Sequence, residues 1–151
     1  MRVSARGDYA VRAVIELAAA GGKLLTSERI AEAQDIPVPF LTNILVALRR
    51  AEIVASQRGT DGGYRLARPA PEISLADVIR AVEGPLASVR GQRPETLDYH
   101  GASEPLRDVW VALRASIRDV LEVVSVADVA GAELPEHVAN LAGSPDAWKT
   151  R

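Results

Sequence analysis

Across the first fifty residues, apolar positions recur at three- and four-residue intervals in three separate runs. Tyr9, Ala10, Ala13, Val14, Leu17 and Ala18 predict an amphipathic helix over 5–20, ended by Gly21-Gly22. Thr26 is placed as N-cap of a short helix over 27–34, with Glu28 in the first turn, where the helix dipole favours an acid. Ile30, Ala31 and Ala33 are expected on its core face, and Asp35-Ile36-Pro37 turns the chain. A third helix begins near Val38, with Pro39 in the first turn, where no amide donor is required. Its stripe Leu41, Ile44, Leu45, Leu48 must face the core. Phe40, Thr42, Asn43, Ala47, Arg49 and Arg50 therefore point elsewhere, on a face that is mostly polar at its start and cationic at its end.

The pattern then changes. "IVASQ" (53–57) and "YRLA" (64–67) read as short strands joined by "RGTDGG", and Asp61-Gly62 signals a hairpin because glycine accepts the positive φ of tight turns. Pro69-Ala70-Pro71 stops the second strand. Residues 74–83 form a compact amphipathic helix capped by Ser74, with Asp77 at its third position, and Gly84-Pro85 ends it. Residues 85–104 have little periodicity and several breakers, and read as a loop. Leu106, Val109, Trp110, Leu113, Ile117, Val120, Leu121 and Val124 then keep helical spacing, predicting the longest helix over roughly 105–126. A short "VADVA" turn, a weak helix near 135–142 and a frayed tail from 143 complete the chain.

Composition narrows the function. None of the 151 residues is cysteine, which excludes disulfides, thiolate zinc sites, cysteine nucleophiles and thiolate-held iron–sulfur clusters. Asp8, Arg12 and Glu16 interrupt the N-terminal apolar run, so it is no signal peptide. No other run is long enough to span a bilayer, and the expected location is the cytoplasm. The net charge of −2 hides an asymmetry: residues 1–68 balance at +3 and residues 69–151 at −5. The basic half is the one expected to meet a polyanion. No Ser/His/Asp set, paired acids or metal-ligand spacing appears. The glycines at 59–63 lack the lysine of a phosphate-binding loop, so the chain is expected not to be an enzyme.

Three helices followed by a glycine-rich, arginine-bearing hairpin read as a winged helix-turn-helix: mainly α, with a small β-hairpin and a further long helix. Its third helix suits the major groove, where Thr42 and Asn43 would reach base edges. Arg58 suits the backbone or the narrow minor groove, and Arg49, Arg50 and Arg65 suit phosphates. Specifically, "MRVSARGDYAVRAVIELA", "ERIAEAQDIPVPFLTNILVALRRAEIV" and "SQRGTDGGYRLARPAPEISLADVIRAVEG" resemble the Rrf2 family (IscR/NsrR type) of bacterial winged-helix transcriptional regulators. These segments cover about 1–84. "DVWVALRASIRDVLEVVSVADVA" is similar to that family's dimerisation helix and the short segment that closes it.

The resemblance implies a homodimer on a roughly palindromic DNA operator, acting as a repressor. Pro39, Phe40, Thr42, Asn43 and Arg58 match its reader positions, and Arg2 and Arg6 match basic positions near the N-terminus. Residues 1–84 would bind DNA, 85–104 would be a loop or effector segment, 105–130 the dimerisation helix and 131–151 a tail. The eight apolar residues from Leu106 to Val124 would pair the subunits. Two departures stand out. Relatives hold an iron–sulfur cluster with three cysteines in the stretch equivalent to 85–105, whereas Asp8, at a carboxylate ligand position, has no thiolates to join. No cofactor is therefore expected. Glu52 stands where relatives commonly have glycine.

Several assignments stay open at the level of sequence. Phe40 suits core packing as well as DNA contact, while Tyr9, Tyr64 and Trp110 read as packing residues. His100 and His137 are too far apart to argue for metal. Arg90 and Arg93 read as loop cations or as the greeting for an anionic effector. Residues 85–104 are either a small-molecule site or a structural loop. The competing function is a winged-helix protein-interaction module that does not bind DNA.

Overall fold

The computed structural model describes residues 3–150. α1 (Ala5–Ala19), α2 (Ser27–Gln34) and α3 (Val38–Arg50) precede a two-stranded antiparallel sheet of β1 (Val54–Gln57) and β2 (Gly63–Leu66). α4 (Leu75–Glu83), α5 (Leu106–Leu121), α6 (Val126–Ala130) and α7 (Glu136–Gly143) follow. The fold is therefore mainly helical with a hairpin wing.

Local chemistry sets the helix ends. Ser4, Thr26 and Ser74 accept from the amides of Gly7, Arg29 and Asp77, satisfying first-turn donors. Asp35 closes α2 in the left-handed region at φ 50°, with the Ile36 amide returning to the Ala31 carbonyl at 2.9 Å. The same closure ends α3: the Ile53 amide reaches the Leu48 carbonyl at 3.0 Å, and Glu52 takes φ 56°. A side chain with a Cβ is strained there, which is why glycine is favoured at such positions.

One core joins these elements. Ala10, Ala13, Val14 and Leu17 of α1, Ile30 of α2 and Leu41, Ile44, Leu45 and Leu48 of α3 are at most 1% exposed. Ile53, Val54, Ile73, Val78 and Val126 complete it. Each large aliphatic side chain buried this way contributes about 1.5–3 kcal/mol, so the stripe on α3 fixes which of its faces is left outward.

The hairpin differs from expectation in its turn. Its register pairs Val54 with Leu66 and Gln57 with Gly63, leaving a five-residue loop, 58–62. The positive φ falls at Gly59 (109°), not at Gly62. Gly62 is needed for another reason: a Cβ there would lie 2.2 Å from the Gln57 carbonyl oxygen. At Gly63 a Cβ would meet the Leu25 carbonyl oxygen at 2.6 Å, because Leu25 and Tyr64 exchange backbone hydrogen bonds at 3.0 and 2.7 Å. The two-stranded wing is thus anchored by one bridge to the segment before α2.

The long helix is shorter than its apolar spacing suggests. α5 ends at Leu121, and Ser125, extended at φ −85° and ψ 161°, caps α6 through a reciprocal bond pair with Asp128. The "VADVA" turn is therefore a helix. Val124 leaves the α5 stripe: it is 2% exposed within its own chain, and its carbonyl accepts the Leu75 amide at 3.0 Å. Beyond α7 the chain makes a short 3-10 turn at Pro145–Trp148, where the Trp148 indole donates to the Ala142 carbonyl at 2.6 Å.

Candidate nucleic-acid interface

With its apolar stripe buried, α3 presents Pro39, Phe40, Thr42, Asn43, Arg49 and Arg50 as exposed residues. Phe40 is 63% exposed, so it does not pack in this chain's core. Thr42 donates its hydroxyl to the Val38 carbonyl at 3.0 Å, which fixes its rotamer and leaves oxygen lone pairs for an outside donor. Asn43 Nδ2 lies 3.4 Å from the Pro39 carbonyl, and its Oδ1 accepts no hydrogen bond among the described residues. Both side chains are therefore oriented yet unsaturated, as base-edge recognition needs.

Arg49 connects this helix to the wing. Its Nη1 donates to Ser56 Oγ on β1 at 3.3 Å. Arg49, Ser56, Arg58 and Thr60 share an open groove with Thr26 and Ser27 at the start of α2. Glu28 lines it too, and hydrogen bonds from its own backbone amide and from Ser27 hold its carboxyl below the usual carboxylate range. Two guanidinium groups thus stand beside hydroxyls at a helix N-terminus, an arrangement suited to phosphate oxygens.

Other candidates are not gathered there. Arg65 pairs with Ala55, one register step from the Ser56–Tyr64 pair, and so projects from the opposite face of the hairpin. It lines a separate cleft with Gly21, Gly22 and Arg68. Arg6 is exposed, with Nε donating to the Val82 carbonyl at 3.1 Å, which holds it at the contact between α1 and α4. Arg2 lies outside the described residues. Ser56 is the residue that sequence reasoning passed over. Its signal was strand alternation, which puts it across from Tyr64, but its meeting with Arg49 depends on where β1 lands.

The apolar face of α5 is left largely uncovered. None of its residues is buried, with Val109 54% and Leu113 40% exposed. Ile117 and Leu121 instead pack on Ala76, Ile79 and Leu86 of the same chain. Trp110 is partly covered, and its indole donates to the Tyr99 hydroxyl at 3.0 Å. Leu106 and Val120 are half-buried. No described helix is long and apolar enough to cross a membrane.

Comparison with known proteins now adds to this geometry. The Rrf2 family profile, described as iron-dependent transcriptional regulator, matches residues 3–132. Protein Rv1287 of Mycobacterium tuberculosis (strain H37Rv), whose name assigns it provisionally to the HTH-type transcriptional regulators, is 55% identical over 143 residues. That match covers 94% of this chain and 89% of the relative. The structure of CymR, the global cysteine regulator of B. subtilis, superposes with TM-score 0.73 at 29% identity, covering 87% of this chain and 98% of that one. IscR of T. potens superposes with TM-score 0.69 at 30% identity, covering 93% and 96%. Iron in the family description does not fit these residues. The sequence has no cysteine, and among the described residues no three His, Asp or Glu side chains cluster as metal ligands. Asp8 is instead paired with Arg12 at 3.0 Å.

Proposed function

The chain belongs to the Rrf2 family of transcriptional regulators, which are not enzymes, and from that premise we propose that it works in the cytoplasm as a homodimeric repressor on a palindromic operator, without an iron–sulfur cluster. The observation that carries this reading is the Arg49–Ser56 bridge. It ties the exposed end of α3 to the wing bearing Arg58, so that helix and hairpin present one surface. α3 enters the major groove with Thr42 and Asn43 toward base edges, and Pro39 and Phe40 against the groove wall. Arg49, Arg50 and Arg58 take phosphates or the adjoining minor groove, and Arg6 and Arg65 contact backbone further out.

Dimerisation is assigned to α5, because an apolar helix face left uncovered by its own chain is normally covered by another. Two copies related by a two-fold axis would place their α3 helices one DNA turn apart, about 34 Å.

Fluorescence anisotropy with genomic fragments at increasing salt tests this. One or a few fragments should bind far above the rest, with affinity falling steeply as salt rises, because phosphate contacts release counterions. Equal, weak binding to every fragment would favour the protein-interaction module instead.

A further inference from the structure

Between α4, the segment 84–95 and α5 opens a cavity of about 450 Å³, on no surface used for DNA above. Its walls bring together Arg80, Arg93, Arg114 and Arg118, which the sequence spreads over 38 positions. The site is open to solvent on one side, and its volume is comparable to those of small-molecule sites, about 300–1,000 Å³.

The charges in this cavity do not cancel. Arg114 pairs with Glu95, and Arg80 and Arg118 converge on the same Glu122 carboxylate oxygen. Asp77 approaches Arg80 at 4.0 Å but is shared with Arg68 at 3.9 Å, so those two offset one another. Arg93 has no ion pair within 4 Å among the described residues and acts on Glu95 only from further away. Four guanidinium groups against two carboxylates leave two positive charges in excess. Each guanidinium carries five donors in a planar fork, so the existing pairs leave most of them unspent.

The opposite wall is held rigidly in an unusual shape. Leu86 is 8% exposed and locks the 84–88 segment between α4 and α5. Next to it on the same wall, Ala87 adopts φ 54°, a left-handed conformation that non-glycine residues enter only under constraint. Backbone strain of this kind persists where the surrounding structure over-determines it, and it gathers at ligand sites.

We propose that this cavity binds a small organic anion with two oxyanion groups, carboxylate or phosphate, one on Arg93 and Arg114 and the other on Arg118. Two such groups match the uncompensated charge, and the forked donors match their geometry. The proposal goes beyond operator binding and does not depend on it.

Isothermal titration calorimetry of the full chain tests it with three probes: disodium succinate, trisodium citrate and sodium phosphate, each against sodium chloride at equal ionic strength. Succinate or citrate should bind saturably, one per chain, with Kd below about 1 mM, and phosphate, which carries a single oxyanion group, should bind more weakly. Arg93→Ala should weaken it about tenfold, the loss of one charge-assisted contact. This is the decisive variant, since removing a side chain without an ion pair leaves the packing intact. Arg114→Gln should weaken it at least as much. Saturable heat from neither succinate nor citrate, or unchanged affinity in both variants, overturns the proposal. The second result would locate the anion elsewhere, such as on the α3 and wing arginines. Because no DNA is present, the outcome is separate from that of the operator experiment.

Discussion

Arg49 Nη1 and Ser56 Oγ, 3.3 Å apart, join the last turn of α3 to the first strand of the wing. In the proposed complex with DNA, the pair couples two elements that would otherwise make contact independently. Arg49→Ala should weaken operator binding at least tenfold and reduce the salt slope by about one, the signature of a lost phosphate contact. Ser56→Ala should cost only a few-fold, because the cation remains and only its positioning is lost. Anisotropy titrations at several salt concentrations measure both; an Arg49→Ala protein with wild-type slope would refute the assignment.

Asn43 has an acceptor without a donor among the described residues, so its contribution should appear in discrimination more than in raw affinity. Asn43→Ala should lose about 1–3 kcal/mol of preference for the operator over a variant changed at the contacted base. Binding to random DNA should stay as it was. Competition titrations with single-base operator variants give the answer, and an unchanged preference at every position would remove Asn43 from the readout.

Leu113 is 40% exposed on a helix none of whose residues is buried by its own chain. Leu113→Asp should therefore split the proposed dimer while leaving the monomer folded, with a thermal midpoint within a few degrees of its starting value. Sedimentation velocity at micromolar protein reads the first effect and circular dichroism the second. A Leu113→Asp dimer of unchanged stability would place the subunit contact elsewhere.

Glu52 holds φ 56° where the α3 closure demands a left-handed residue. Glu52→Gly should relieve strain of about 1–2 kcal/mol, offset in part by the greater freedom glycine has when unfolded. A net gain near 1 kcal/mol and a higher thermal midpoint are expected, with operator affinity unaltered. Chemical denaturation measures the gain; a destabilised Glu52→Gly protein would mean that the glutamate side chain contributes contacts outweighing its backbone strain.

The fold class was readable from residues that report on local geometry. Leu41, Ile44, Leu45 and Leu48 define the buried side of α3 by spacing alone, and all four are at most 1% exposed. Where local signals competed, the reading went astray. Val124 continues the apolar period of α5, yet Ser125 and Asp128 form a capping box that starts a new helix. The apolar period alone carries Val124 on into α5, while in the molecule backbone pairing of this segment with the start of α4 decides the matter. Asp61-Gly62 is a genuine turn signal, but the longer loop moves the positive φ to Gly59.

Read alone, the sequence determined the order of the main elements, the inward stripes of α1, α2 and α3 and the absence of thiol chemistry, because these follow from neighbours three or four residues apart and from composition. Only the tertiary structure decided that Phe40 stays outside the core, that Arg49 reaches Ser56, and that Arg80, Arg93, Arg114 and Arg118 surround one cavity. The reason is physical: side chains from separate elements converge through packing of whole helices and loops. No local preference along the chain encodes that meeting until the core has set their positions.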